Sequence, residues 1–275
     1  MKLSIITINY NNCAGLQKTI DSVVAQTWRD FEWIIIDGGS TDGSKELIEK
    51  YQEHFTYWCS EPDKGVYDAM NKGIIKAKGE YLNFMNSGDY FYNIHTIENV
   101  FSHELTADLI YGDWIKVYPE HEEKRQVPKA NFNLTVFFEN ECHQAMFIKS
   151  EILKERGYDI NYPIWADWKR WIELSLEGRK FQYVPVTVCR FAAGGFGDKD
   201  IAWISKEIDN ITNIMPPEIG NHISEYYKTI YKLMKYENNA LIAETTRIAL
   251  NGKSYKTKLL HINLLLIKAL DKIFG

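Results

Sequence analysis

The sequence has little of what marks a disulfide-stapled, membrane-spanning or nucleic-acid-binding chain. Its four cysteines, Cys13, Cys59, Cys142 and Cys189, are scattered through 275 residues without a Cys-x-x-Cys pair. That spacing suits neither a zinc site nor a disulfide framework and fits a reducing compartment. No apolar run approaches the ~20 residues that cross a bilayer. Met1-Lys2 leads straight into Leu3-Ser-Ile-Ile-Thr-Ile8, too short a stretch for a secretory leader. The expected location is therefore cytoplasmic. A general excess of positive charge is also missing. Residues 1–220 hold 23 Lys and Arg against 33 Asp and Glu, which argues against nucleic acid as a partner. Internal repeats and low-complexity stretches are absent.

Aromatic residues, by contrast, are plentiful: 14% of the chain, with 8 Trp and 17 Tyr. Such side chains fill cores, and they also make platforms for sugar rings and nucleobases. The first ninety residues alternate between two periods. Leu3–Ile8, Phe31–Ile36, Thr56–Cys59 and Tyr81–Met85 read as short apolar strands. Between them, Leu16, Ile20, Val23 and Val24 recur at helical spacing, and 44–51 and 67–78 also read as helices. A β-α-β-α-β-α-β order predicts a doubly wound, mostly parallel sheet with its ligands at the strand C-termini. Three polar turns close those strands: Asn9-Tyr10-Asn11, Asp37-Gly-Gly-Ser40 and Asn86-Ser87-Gly88-Asp89. Each is ordinary turn chemistry on its own, but in this topology all three meet at one edge.

Further on, 108–111 reads as a strand ending at Gly112-Asp113. The segment 114–129 reads as a hairpin with a charged tip at 120–125, and 145–148 and 183–191 as strands. Ser150–Arg156 and Asp167–Leu176 read as helices. From Ile201 the text is helical, broken at Pro216-Pro217. The expected organisation is one α/β domain over 1–200 and a helical extension over 201–275.

Four segments carry a resemblance: SIITINYNN (4–12), IIIDGGSTDGS (34–44), DKGVYDAMNKGIIKAKGEYLNFMNSGD (63–89), and CHQAMF (142–147) with IWADWKRWIEL (164–174). Together they resemble family 2 glycosyltransferases of the GT-A fold, in the variety that builds bacterial surface polysaccharides such as O-antigen and capsule. The resemblance implies an inverting transfer from a nucleotide-diphosphate sugar, a UDP-sugar above all, to a saccharide or lipid-linked acceptor. It also implies Mg²⁺ or Mn²⁺. On it, Thr7, Asn9, Tyr10, Asp37, Lys64, Asn86, Ser87 and Gly88 would bind the donor, and Asp89 would hold the metal. Asp167 would be the general base, and Asp113, His143, Gln144, Trp165 and Trp168 would stand on the acceptor side.

The chemistry suits these roles. A departing diphosphate gathers negative charge, which a divalent cation neutralises with only one or two protein carboxylates when phosphates supply the rest. Inversion needs a base across the pocket from the leaving group. The family turn is commonly Asp-x-Asp-Asp, whereas Asn86-Ser87-Gly88-Asp89 keeps one carboxylate. That thinning leaves open a non-catalytic nucleotide-sugar-binding relative. A nucleotidyltransferase is disfavoured, because no basic residue follows the first strand before Lys18. Arg190 and the glycines of 194–197 would serve the diphosphate and a lid. Residues 251–275 carry five lysines against Asp271 beside a broken apolar surface. That pattern suits peripheral attachment to an anionic membrane, or a second copy of the chain in a homodimer.

Overall fold

The computed structural model describes residues 1–127, 129, 132–137, 140–193 and 201–234. The chain divides into two compact units, Met1–Asp198 and Lys199–Gly275. The segment 194–197 and the tail 251–275, expected as a lid and a membrane contact, lie outside the described residues.

Unit 1 is built on a nine-stranded sheet. Its first half joins β1 (Leu3–Asn9), β2 (Phe31–Asp37), β3 (Tyr57–Ser60) and β4 (Tyr81–Phe84) in the order β3-β2-β1-β4, all parallel. β1 and β4 are buried at every position and β2 at all but Phe31, as expected of parallel strands covered on both faces. The sheet continues through β8 (Met146–Lys149), β6 (Leu109–Val117), β9 (Phe181–Ala192) and β5 (Tyr90–Phe91), with β7 (Glu122–Arg125) beside β6. β6 and β9 run with the first four strands, while β5, β7 and β8 run against them. The sheet is thus mixed α/β and mostly parallel, the GT-A type of architecture.

Helix α1 (Cys13–Val24) starts where Asn12 accepts from Gly15 N–H at 3.2 Å, and it buries Leu16, Ile20 and Val23 against the sheet. Each such side chain contributes roughly 1.5–3 kcal/mol. α2 (Ser44–Lys50) and α3 (Val66–Lys76) complete the crossovers. On α3 a Cβ at Gly73 would lie 2.5 Å from Ile6 Cγ2, so glycine lets helix and strand meet. α4 (Thr96–Phe101), the short α5 (Phe132–Thr135), α6 (Ser150–Glu155) and α7 (Ala166–Leu176) follow in the second half. α7 buries Trp168, Trp171, Ile172 and Leu174. Unit 2 shows α8 (Ile201–Thr212) and α9 (Pro217–Met234), joined by a hydrogen bond from Ser224 Oγ to Asp209 Oδ1 at 3.0 Å. No helix among the described residues is long and apolar enough to cross a membrane.

Two sequence expectations change. β6 does not stop at Tyr111 but runs on to Val117. A Cβ at Gly112 would sit 2.4 Å from the Val186 carbonyl oxygen, and the β6–β9 register shifts at this point. Glycine therefore produces a bulge here rather than an end. The charged run expected at a hairpin tip forms strand β7, and the turn lies at Tyr118–His121, closed by Tyr118 N–H to His121 O at 2.9 Å. Among the described residues β7 pairs only with β6, and its charged side chains suit such an outer strand.

The reversed β8 decides where the site forms. Tyr81 pairs with Lys149 and Leu82 with Ile148, so β8 begins beside the end of β4. The short 3₁₀ turn before it, His143–Ala145, is delivered to the edge where β1, β2 and β4 terminate.

Candidate active site

The turn after β2 is organised by Asp37, a wholly buried carboxylate. Its Oδ1 accepts from Asn9 Nδ2 at 2.7 Å and Ser40 Oγ at 2.6 Å. Its Oδ2 accepts from Ser60 Oγ at 2.6 Å, Ser40 N at 2.9 Å and Gly39 N at 3.2 Å. Burial alone would raise the carboxyl pKa, but the bonds from Ser40, Ser60 and Asn9 outweigh it and hold it below the ordinary value. Asp37 thus ties together the ends of β1, β2 and β3. Expected as a direct nucleoside contact, it spends its carboxylate on this chain's own donors and shapes the pocket through the turn. Beside it, Tyr10 is 66% exposed, and Asn9 is buried with its Oδ1 unpaired among the described residues. Thr7 does not line this pocket. It is wholly buried, and its hydroxyl accepts from Trp33 Nε1 at 3.0 Å.

The turn after β4 is held by a residue that the sequence reading did not single out. Thr19 Oγ1 donates to the Asp89 carbonyl at 2.7 Å and accepts from Gly88 N at 3.0 Å. Gly88 has φ 102°, a left-handed conformation natural to glycine. Ser87 N reaches the Ile8 carbonyl, and Asn12 Nδ2 reaches the Ser87 carbonyl, both at 3.0 Å. Asp89 itself is buried. Its Oδ1 accepts from Ala192 N at 3.0 Å and its Oδ2 from Gln144 Nε2 at 2.5 Å. Burial raises its pKa to about 6, because two hydrogen bonds and the more distant His143 compensate the lost hydration only in part.

Across from this turn lies a chain of polar contacts. His143 Nδ1 meets Asp167 Oδ2 at 2.9 Å, and its Nε2 meets Asn86 Nδ2 at 3.0 Å. Asp167 Oδ1 accepts from Trp168 N at 2.7 Å, Tyr67 Oη at 2.9 Å and Asn140 Nδ2 at 3.3 Å. Tyr67 also donates to the Ile164 carbonyl at 2.7 Å. Asn86 Oδ1 is buried and unpaired among the described residues. Asp167, in the first turn of α7, thus both accepts from a backbone N–H of its own helix and holds the imidazole.

The other expected acceptor-side residues divide. His143 joins the cluster, and Trp165 is half-buried, edge-on to Trp168 with ring centroids 5.0 Å apart. Trp168 itself is not a sugar platform: it is wholly buried, and its Nε1 donates to the Val136 carbonyl at 2.6 Å. Gln144 is buried and braces Asp89 rather than facing an acceptor. Asp113 braces the second half of the sheet, accepting from Tyr183 Oη at 3.1 Å and Val127 N at 3.2 Å. Lys64 is exposed beside the start of α3, and no ion pair of its side chain appears among the described residues. Arg190 is engaged by Glu122 at 3.2 Å and by the Tyr92 carbonyl at 2.9 Å. Tyr67, Thr19 and Asn140 lacked a sequence signal, since hydroxyl and amide partners 27 to 100 residues away leave no mark in local spacing.

Three carboxylate-bearing segments, at 37, 89 and 167, therefore converge on one sheet edge. Solved glycosyltransferase structures share the fold. Staphylococcus aureus TarS 1–349 in complex with UDP matches 94% of this chain and 77% of its own, with a TM-score of 0.62 at 16% identity. The mannosyltransferase PcManGT from Pyrobaculum calidifontis, in complex with GDP-Man and Mn²⁺, matches 98% and 86%, with a TM-score of 0.61 at 16% identity. The sequence profile of Glycosyl transferase family 2 matches residues 4–165, and the chain belongs to that family. Among curated relatives, an uncharacterised glycosyltransferase of Mycobacterium tuberculosis, Rv1514c, is 34% identical over 208 residues, covering 71% of this chain and 76% of the relative. A PGL/p-HBAD biosynthesis glycosyltransferase of Mycobacterium bovis BCG is 34% identical over 173 residues, covering 60% and 66%.

Proposed function

We propose that this glycosyltransferase moves a sugar, with inversion, from a nucleotide-diphosphate sugar to a saccharide or lipid-linked acceptor of surface polysaccharide. One observation carries this reading. The imidazole–carboxylate pair His143–Asp167 reaches the turn after β4 through Asn86. A proton-accepting group thus stands across from the strand ends that would hold the donor, as inversion requires. The unpaired, buried Oδ1 atoms of Asn9 and Asn86 support a ligand rich in hydrogen-bond donors, such as ribose or a uracil N–H. UDP is the favoured nucleotide; the TarS complexes hold UDP and UDP-GlcNAc, while PcManGT holds GDP-Man.

No cluster of three His, Cys, Asp or Glu suited to a metal occurs among the described residues. The donor set nevertheless fits Mg²⁺ or Mn²⁺. Asp89 is a hard oxygen ligand whose buried charge is compensated only in part, and such ions take their remaining ligands from phosphate and water. Bound there, the ion would neutralise charge on the departing diphosphate. Asp89 would hold it, Gln144 and Ala192 N would orient Asp89, and Thr19 would keep the turn closed.

The test is a panel of UDP-, GDP-, CDP- and dTDP-sugars incubated with the protein and Mn²⁺, with released nucleotide diphosphate as the readout. Turnover of one donor class is expected, and faster turnover with a saccharide acceptor. Binding of a nucleotide sugar without any diphosphate release would favour the non-catalytic alternative.

A further inference from the structure

Asp37 spends its carboxylate on this chain's own donors, and the glycine after it brings a second carboxylate to the same edge. Gly38 follows β2 directly, and its N–H donates to the Asn9 carbonyl at 2.9 Å. A Cβ placed on Gly38 would lie 2.6 Å from Asp63 Oδ2 and 3.1 Å from Tyr10 Cδ2. A carboxylate oxygen and the edge of an aromatic ring therefore meet over one residue where β1 and β2 end. Asp63 is firmly held there. Its Oδ1 accepts from Gly65 N at 2.8 Å. Glu61 N donates to the Asp37 carbonyl at 2.9 Å, while Lys72 Nζ holds Glu61 Oε1 at 2.9 Å and the Pro62 carbonyl at 3.1 Å. The segment 61–65 is thus pinned both to the turn after β2 and to α3. Asp63 Oδ2, by contrast, makes no hydrogen bond or ion pair among the described residues. Tyr10 is 66% exposed, and no other ring or cation covers it among the described residues.

We infer that Asp63 is the residue that selects the nucleobase of the donor: the base stacks on Tyr10, and Asp63 Oδ2 accepts the imide N3–H of a pyrimidine such as uracil. The inference rests on the glycosyl-transfer reading and deepens it by naming the base and the residue that reads it. An aromatic face holds any base, because every base has a π-face, so stacking alone gives no selection. Selection comes from an acceptor or donor in the plane of the base, beside the ring edge, and that is where Asp63 Oδ2 lies. A carboxylate only accepts. It favours uracil, which carries N3–H at the centre of its outer edge, and thymine shares that group. Cytosine has a bare acceptor at N3, which would face a negative oxygen. Guanine presents two adjacent donors and suits a carboxylate with both oxygens open, whereas Gly65 N already engages Oδ1 here. Gly38 makes the arrangement possible, since any side chain there would run into Asp63 Oδ2.

The experiment measures binding of nucleoside diphosphates to the full chain by calorimetry with Mn²⁺, so it does not depend on the sugar. Wild type is expected to bind UDP about tenfold or more tighter than CDP, and by a similar margin tighter than 3-methyluridine diphosphate, in which a methyl group replaces the N3 hydrogen. Asp63→Ala should lose about 10–100-fold in UDP affinity and keep CDP within about threefold, which also reports an intact fold. Asp63→Asn is the sharper variant. Its amide oxygen meets Gly65 N, and its amide nitrogen takes the place of Oδ2 and turns a donor toward the base. UDP affinity should fall and CDP affinity rise, so that the preference narrows or reverses. Equal wild-type affinity for UDP and 3-methyluridine diphosphate would overturn the inference. So would an Asp63→Asn variant that keeps the wild-type preference for UDP over CDP. A uniform loss for every nucleotide would also overturn it and make Asp63 a brace of its loop. UDP bound through Asp63, with no diphosphate released from any UDP-sugar, would leave the inference standing and sink the transfer reading. A wild-type protein that binds no nucleoside diphosphate would sink both.

Discussion

The turns after β2 and β4 close neighbouring stretches of one sheet edge, and each buries an aspartate, yet the two carboxylates are in opposite electrostatic states. Asp37 receives five hydrogen bonds and is held below the ordinary carboxylate pKa. Asp89 receives two and is raised to about 6. Burial opposes ionisation in both, so the number of donors decides which way the balance falls. A carboxylate saturated by its own chain is glue. One that is buried and under-satisfied is poised for something the chain does not supply, and the occupant proposed for Asp89 is a cation.

The same substitution at the two sites should therefore act with opposite sign. Asp37→Asn turns an amide nitrogen toward the N–H and O–H groups of residues 39, 40 and 60, and leaves buried donors unpaired. A loss of about 3 kcal/mol is expected, read as a lower urea midpoint. An unchanged midpoint would show that this turn is not held by the carboxylate. Because the Asp37 pKa is depressed, its stabilisation is present above the ordinary aspartate value. It is lost as the pH falls through the folded-state value.

Asp89→Asn in metal-free buffer at pH 8 should raise stability by about 2 kcal/mol: sparing the chain the ionisation of a buried acid whose pKa is raised to about 6 is worth roughly 3 kcal/mol, less about 1 kcal/mol for whichever of Ala192 N and Gln144 Nε2 loses its acceptor. For a raised pKa the sign reverses. The carboxyl's favourable contribution is complete below the unfolded value and lost as pH rises through about 6. The gap between variant and wild type should therefore open between about pH 4 and pH 6 and stay constant above. The same variant should lose the Mn²⁺-dependent tightening of nucleotide-diphosphate binding in calorimetry. Retained tightening would place the metal elsewhere. A stabilised but inactive variant would show a site that trades stability for function.

The smallest effect sharpens the comparison at the level of the backbone. Thr19→Val keeps the shape but deletes the hydroxyl that bonds Gly88 N and the Asp89 carbonyl. A cost of about 1–2 kcal/mol is expected. Weaker nucleotide binding should accompany it, because the turn after β4 then loses its lock while the turn after β2 keeps all of its own. Equal nucleotide affinity in wild type and Thr19→Val would mean that this turn does not touch the donor.

The amino-acid sequence by itself determined the β/α alternation of the first ninety residues. It also determined the three polar strand ends and the segments that place the chain in its family. These are legible because apolar periodicity and turn-forming residues act over a few positions. Asp37, Asp89 and Asp167 were legible as residues, but their states were not. Whether an aspartate is glue, a poised ligand or a holder of an imidazole depends on donors at 9, 40 and 60, at 144 and 192, or at 67, 140 and 143. Thr7 and Trp168 looked like pocket residues for the same reason and proved to be core. What only the tertiary structure decided was the meeting itself. The reversal of β8 beside β4 sets His143 next to Asn86, and α7 returns Asp167 to it. Pairing across strands and loops fixes these partners over 24 to 100 residues of chain. No local pattern records that pairing, because the energy that selects it comes from the packed sheet as a whole.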